Sequence, residues 1–311
     1  MPDSDTPSIH QPVDGQGDST IPASTTTITA THPASSFTVQ FWGVRGSIPT
    51  PGADTVRYGG NTACVEILVG DQRLIFDGGT GLRVLGKHLL NHHQTISAHL
   101  FFTHTHWDRI QGFPFFNPAF VAGNCFEIYG ATAPNGASIK QCLTDQMLRP
   151  NFPTPLQEMR SQMQFHNLAA GSVIPIEDVL IETISLNRFT SALGFRVTWQ
   201  GYSLVYATDT DHSIEGGNQN LIYLAQQADL LIYDGSYADR IYPDIKPQAE
   251  LDSPSWYAGV EMAKDAGVRE LIMFHHHPAH DDDALDRLEM EMRSHFPRAR
   301  LAREGMILQI A

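Results

Sequence analysis

A chain of 311 residues with 41% hydrophobic side chains carries enough apolar material for a sizeable core. Its formal net charge of −14 argues against a protein whose main business is gripping a polyphosphate backbone, because such binding rests on clustered Lys and Arg; short of a local basic groove, nucleic acid is not expected as the main partner. Cys64, Cys125 and Cys142 are widely spaced and form no C-x-x-C pattern, so neither a disulfide framework nor a zinc knuckle is expected. The start "MPDSD" lacks the basic and apolar parts of a secretory signal, and no apolar run is long enough to span a bilayer, which points to a cytoplasmic protein with no membrane partner.

Residues 1–36 are rich in Ser, Thr, Pro and Gly and poor in large apolar side chains, the composition of a flexible tail that cannot offset its own ordering entropy. From Phe37 the texture changes, and residues 37–311 read as one α/β domain. "FTVQFWG", "ACVEILVG", "RLIFDGG", "AHLFFTH", "FEIYG", "VLIETISL", "GFRVTW", "SLVYATD", "DLLIYDG", "ELIMFHH" and "GMILQI" are short β-branched and aromatic runs bounded by turn residues, which predicts strands. "DGGTGLRVLG" lacks the Lys of a P-loop and the spacing of a dinucleotide fingerprint, so it reads as a tight strand-to-helix turn. The stretch from about Phe113 to Phe165, rich in aromatics and proline, is expected to form a lid or wall beside a cleft, or an oligomer contact. Two later stretches predict helices: "SPSWYAGVEMAKDAG", with Ser253 as cap and Gly267 as stop, and "DDDALDRLEMEMRSHF", which opens on acids suited to a helix N-terminus.

A second pattern lies at the strand ends. Asp77, His104, Asp209, Asp234 and His275 stand at or just past the ends of five apolar runs, and the carboxyl ends of neighbouring strands converge on the edge where open α/β architectures keep their sites. His104-x-His106-x-Asp108 after a buried strand suits zinc, with manganese or iron as alternatives, because imidazole and carboxylate are their preferred donors. Blander readings stand beside this: "FHHHP" as a solvated histidine-rich turn and "ATDTDH" as an acidic turn; Trp107 reads as a packing residue rather than a base-stacking platform, and Arg45 as either a substrate contact or a structural salt bridge. His212 and His280 are weaker candidates for cleft histidines.

"FWGVRGSIPTPG", "RYGGNTACVEI", "LIFDGGTGLRVLG", "FFTHTHWDRIQGFPFF", "SALGFRV", "VYATDTDH" and "FHHHPAHDD", in this order, resemble the metallo-β-lactamase-fold hydrolases, closest to the phosphodiesterase branch that includes cyclic-nucleotide phosphodiesterases, phosphonate-pathway phosphodiesterase and ribonuclease Z. The resemblance implies an αββα sandwich, a metal site at one edge and in-line attack of water on phosphorus. It implies His104 and His106 as ligands of a first ion, Asp108 and His275 as ligands of a second, Asp209 as a bridge, and Asp77 as the residue that orients the histidine loop. It also allows a homodimer.

Three positions depart from the family pattern. Arg109 stands where a second-ion histidine is usual, Arg188 in "NRFTS" where a first-ion histidine is usual, and Asp252 in "LDS" where an assisting histidine is usual. A guanidinium cannot ligate a cation, but it can pair with carboxylates and supply part of the charge a metal would bring. Arg109 and Arg188 are thus expected to pair with Asp108 and Asp209, to serve with them in catalysis, and to leave room for one ion rather than two. Two functional readings stay open: a phosphodiester hydrolase acting on a small, anionic or nucleotide-like substrate through a reduced site, and a non-catalytic member that binds an anionic ligand or a protein partner.

Overall fold

The alternation in FTVQFWG makes β1, Phe37–Gly43, a strand with every second residue buried. The computed structural model describes residues 36–92, 94–210, 219–234 and 255–311, so the expected tail lies, apart from Ser36, outside the described residues. β1 pairs on one side with β14, Ile307–Gln309, and on the other with β2, Cys64–Val69, followed by β3, Gln72–Phe76, β4, Ser97–Phe102, β5, Cys125–Ala131, and β6, Gln162–Leu168. The second sheet runs in the order β13, β12, β11, β10, β9, β8, β7, with β7 Val173–Ile176, β8 Val179–Asn187, β9 Ala192–Trp199, β10 Tyr202–Ala207, β11 Leu230–Asp234, β12 Glu270–Phe274 and β13 Ala299–Leu301.

Each sheet joins an antiparallel half to a parallel half. In the first, β3, β4, β5 and β6 are parallel neighbours; in the second, β10, β11, β12 and β13 are. Parallel neighbours need crossovers, and the crossovers cover the outer faces with helix. Every residue of β11, LLIYD, is buried, as a strand covered on both faces requires.

The core has three layers. Phe37, Phe41, Val65, Phe76 and Phe101 from one sheet meet Phe195, Val197, Tyr206, Ile232 and Phe274 from the other. Outside the first sheet, Leu82 and Leu85 of α1, Thr80–Leu90, pack with Phe113, Phe116, Ile139 and Leu143, the last two from α3, Ile139–Asp145. Outside the second sheet lie α4, Gln219–Ala225, α5, Ser255–Asp265, and α6, Asp282–His295, the last capped by the Asp281 carboxylate. The αββα order expected from the sequence is therefore what forms.

One expectation is narrowed, and another falls partly outside the described residues. Part of the Phe113–Phe165 stretch is wall of the core: Phe113, Phe116 and Phe126 are at most 2% exposed, whereas residues 148–151 are exposed. Pro114 and Pro118 stand in the first turn of two short 3-10 helices, Phe113–Phe115 and Asn117–Phe120. Ser253 and Pro254 at the start of α5 lie outside the described residues, although Gly267 ends that helix with φ +66° as expected. Among the described residues no helix is long and apolar enough to cross a membrane.

Candidate metal centre

The parallel halves of the two sheets bring their carboxyl ends to a common edge. Asp77 follows β3, His104 lies two residues past β4, Asp209 two past β10, Asp234 closes β11 and His275 follows β12. Asp77, Asp209 and His275 have φ of 59°, 54° and 64°. Left-handed backbone is uncommon for a residue with a Cβ, and three such residues at one edge mark strain that the surrounding packing must hold. Gly46 is required here by a close approach: a Cβ on it would lie 2.7 Å from the His275 ring.

Asp77 anchors the histidine loop. Its Oδ1 accepts hydrogen bonds at 2.9 Å from the backbone N–H and the hydroxyl of Thr103, and its Oδ2 accepts at 2.9 Å from Arg109 and from the Tyr206 hydroxyl. Because the Thr103 hydroxyl is spent on Asp77, His104 Nδ1 at 3.0 Å must donate to the Thr103 oxygen, which leaves the lone pair on His104 Nε2. Burial, followed by the repulsion of Arg109, holds the His104 pKa well below its ordinary value, so the imidazole is neutral and ready to ligate.

His104, His106 and Asp209 offer donor atoms that all lie within 4.8 Å of one another. His104 Nε2 and His106 Nδ1 face each other at 2.9 Å, an arrangement held by one shared proton that a cation ligated by both would displace. Asp209 Oδ2 is 4.0 Å from His104 Nε2 and accepts hydrogen bonds from Asn187, at 3.4 Å, and from the Thr190 hydroxyl. Burial raises the Asp209 pKa, and the Thr190 hydrogen bond and His106 pull it back. Two imidazoles and a carboxylate are a donor set that suits zinc.

Asp108 and His275 form a separate unit. His275 Nε2 lies 2.7 Å from Asp108 Oδ2, while its Nδ1 lies 3.0 Å from Asp234. Burial and Arg109 oppose the charge on this imidazole, but Asp234 and Asp108 outweigh them and raise its pKa to about 9. Burial opposes the Asp108 charge in turn, yet His275 and Arg109 hold it well below the ordinary carboxylate range. The backbone N–H of Ser47 also points at Asp108 Oδ2, at 3.3 Å.

Arg109 is 1% exposed and lies among the carboxylates. One terminal nitrogen is 2.9 Å from Asp77 Oδ2, the other 3.1 Å from Asp234 Oδ2, and Nε is 3.4 Å from Asp108 Oδ2. Desolvation works against its charge, but Asp77 and the other acids raise its pKa above the ordinary value. Burial also raises the Asp77 carboxyl, against the pull of Arg109. Arg109 thus meets three carboxylates, those of Asp77, Asp108 and Asp234; with Asp209 beside Asp234, four acids face the charges of Arg109 and His275, and the excess of negative charge favours a cation beside them.

Other expected residues fall elsewhere. Arg188 does not pair with Asp209: it is exposed, its guanidinium 4.9 Å over the Phe189 ring, because Asn187 and Thr190 on the same turn reach the carboxylate first. Arg109 reaches Asp108 as well as Asp77 and Asp234, and not Asp209. Asp252 and His212 lie outside the described residues. Arg45 is fully buried and donates to the carbonyls of Gly59 and His280, so it is a staple and not a substrate contact. His276 is no solvated turn residue: its Nε2 donates to the Ala302 carbonyl at 2.7 Å, and burial lowers its pKa to about 3. Trp107 is 62% exposed instead of packed. Asp234, Thr103, Tyr206, Asn187 and Thr190 hold the site together; only Asp234 had a sequence signal, its place at a strand end.

The sequence profile of the beta-lactamase superfamily domain matches residues 72–276. A ribonuclease Z of Gemmatimonas aurantiaca is 23% identical over an alignment covering 88% of this chain and 96% of that protein. Among solved structures, the metallo-beta-lactamase fold protein YhfI of Bacillus subtilis superposes with a TM-score of 0.61 at 19% identity, over 88% of this chain and 99% of its own. Zinc-bound PqqB of Methylobacterium extorquens superposes with a TM-score of 0.60 at 14% identity, over 87% and 99%. Two mixed sheets flanked by helices are thus the metallo-β-lactamase fold.

Proposed function

The chain belongs to the beta-lactamase superfamily, and we propose that it is a metal-dependent hydrolase of phosphodiester bonds that works with one ion. The observation that carries this reading is the division of the donors: His104, His106 and Asp209 converge, while Asp108 and His275 are engaged with each other beside Arg109. The ribonuclease Z relative supports phosphorus as the centre attacked, and it stands against the charge-based view that nucleic acid is not the main partner. The net charge of −14 favours a small nucleotide-like ester over a long polyanion.

A zinc ion held by His104, His106 and Asp209 would supply Lewis-acid stabilisation of charge on the phosphoryl oxygens and a water of lowered pKa. Manganese or iron would suit the same donors. The chain's own groups do the rest. Asp77, through Thr103, fixes the tautomer and orientation of His104. The Asp108–His275 pair holds a proton at Nε2, with Asp234 on the far nitrogen setting the ring. Arg109 is too buried to touch a substrate; it keeps Asp77, Asp108 and Asp234 in place where a second cation would otherwise be needed.

Elemental analysis of protein purified without added metal tests the reading. The expected result is about one transition-metal ion per chain, turnover of bis(p-nitrophenyl) phosphate that chelation abolishes and zinc restores, and loss of the ion in His104→Ala and Asp209→Ala. Arg109→His is expected to take up a second ion. Bound ion without any phosphodiester turnover would overturn the hydrolase reading, and retention of the ion by both alanine variants would overturn the ligand set.

A further inference from the structure

Two large aromatic side chains, Trp107 and Phe189, are 62% and 65% exposed. Isolated exposed aromatics are ordinary on a protein surface; their placement sets these two apart. Trp107 stands between His106 and Asp108, at the first position of α2, Trp107–Ile110. Phe189 stands between Asn187 and Thr190, the two residues whose side chains hold Asp209. Since His106 and Asp209 offer donor atoms within 4.8 Å, the two aromatics sit on the two loops that meet at the centre, one from each sheet.

Neither ring is there by default. The backbone of α2 needs no tryptophan, because Asp108, Arg109 and Ile110 supply its buried side. Phe189 is steadied on one face by the Arg188 guanidinium at 4.9 Å, which restricts the ring while leaving most of its surface to solvent. Exposed aromatic side chains on the two loops that carry a phosphorus-directed centre fit a flat, apolar group carried next to the scissile bond. A nucleobase is such a group, and stacking on aromatics tolerates any base.

We propose that Trp107 and Phe189 form a base-binding subsite that makes this centre specific for esters of nucleotides. The proposal rests on the phosphodiesterase reading for its substrate, and binding separates the two. Two esters with the same leaving group provide the kinetic test: thymidine 5′-(p-nitrophenyl phosphate), which carries a base, and ethyl p-nitrophenyl phosphate, which does not. The wild-type chain should prefer the nucleoside ester through KM. Trp107→Ala and Phe189→Ala should each cut the ratio of the two kcat/KM values by about tenfold, the scale of one stacking contact, whereas Trp107→Phe and Phe189→Tyr should keep most of it. Equal losses on both esters, leaving the ratio unchanged, would overturn the subsite.

Calorimetry on the zinc-loaded protein needs no turnover. Adenosine 5′-monophosphate should bind about 100-fold more tightly than ribose 5-phosphate, each alanine variant should cut the difference about tenfold, and the double variant should erase it. Equal affinities in the wild-type chain would overturn the proposal. A base preference that the variants erase, in a protein that hydrolyses neither ester, would sustain the subsite and reject the hydrolase reading.

Discussion

Arg109 is the residue on which the centre turns. A guanidinium reaching three buried aspartates is costly to bury but far costlier to remove, because the acids left behind would be unpaired. Arg109→Leu should therefore lower unfolding free energy by about 3–5 kcal/mol, read from denaturant midpoints at constant slope. Thr103→Val acts differently: it removes the hydroxyl linking Asp77 to His104 Nδ1 while keeping the shape, so zinc affinity measured against a competing chelator should fall about 10- to 100-fold. The anomaly of Arg109 was visible in the sequence, since a guanidinium in a run of ligand-type residues asks for nearby acids. Which acids it finds was not visible, because Asp234 comes from the other sheet. Arg188 misled for a local reason: in the turn after β8, Asn187 and Thr190 face Asp209, and the longer side chain is left to lie over Phe189.

Elements position these residues through close backbone packing. Gly112, two residues past α2, donates its N–H to the Gly78 carbonyl at 2.8 Å, and a Cβ on it would lie 1.8 Å from the Gly79 oxygen. Gly112→Ala should thus push the loop carrying His106 and Asp108 away from the turn after Asp77. The expected result is a loss of about 1–3 kcal/mol in stability, with a parallel loss of zinc affinity; full stability with weakened binding would show that the loop moved alone. The strands that flank the site were legible because parallel strands covered on both faces read as unbroken apolar runs. β6, β7 and β13 were not. β6 is a polar edge strand, β7 carries Pro175, and β13 has only three residues, so none produces a periodicity that can be counted. For the aromatic stretch after Gly112 the sequence left lid, wall and oligomer contact open, because composition alone does not distinguish them.

Across the whole molecule, buried titratable groups set a window of stability in pH. His275 binds its proton more tightly in the folded chain, at about 9 against an ordinary 6.5, so its contribution is full below about 6.5 and is lost as pH rises through 9. Asp108, held below the ordinary carboxylate value, and His276, lowered to about 3, contribute in the opposite sense; their stabilisation is present above their ordinary values and fades as pH falls. Chelator-treated protein should accordingly be most stable near neutral pH and decline on both sides. His275→Gln should flatten the alkaline limb and leave the acid limb, as thermal melts across pH would show. At this scale the two sheets meet through a guanidinium that spans from Asp77 at the end of β3 to Asp234 at the end of β11. A charge built into the polypeptide arrives with translation, needs no importer or chaperone, and cannot be exchanged for a competing metal. On the one-ion reading proposed above, this chain would have one cation left to acquire where a two-ion enzyme must win two, and one position at which a wrong metal would be loaded.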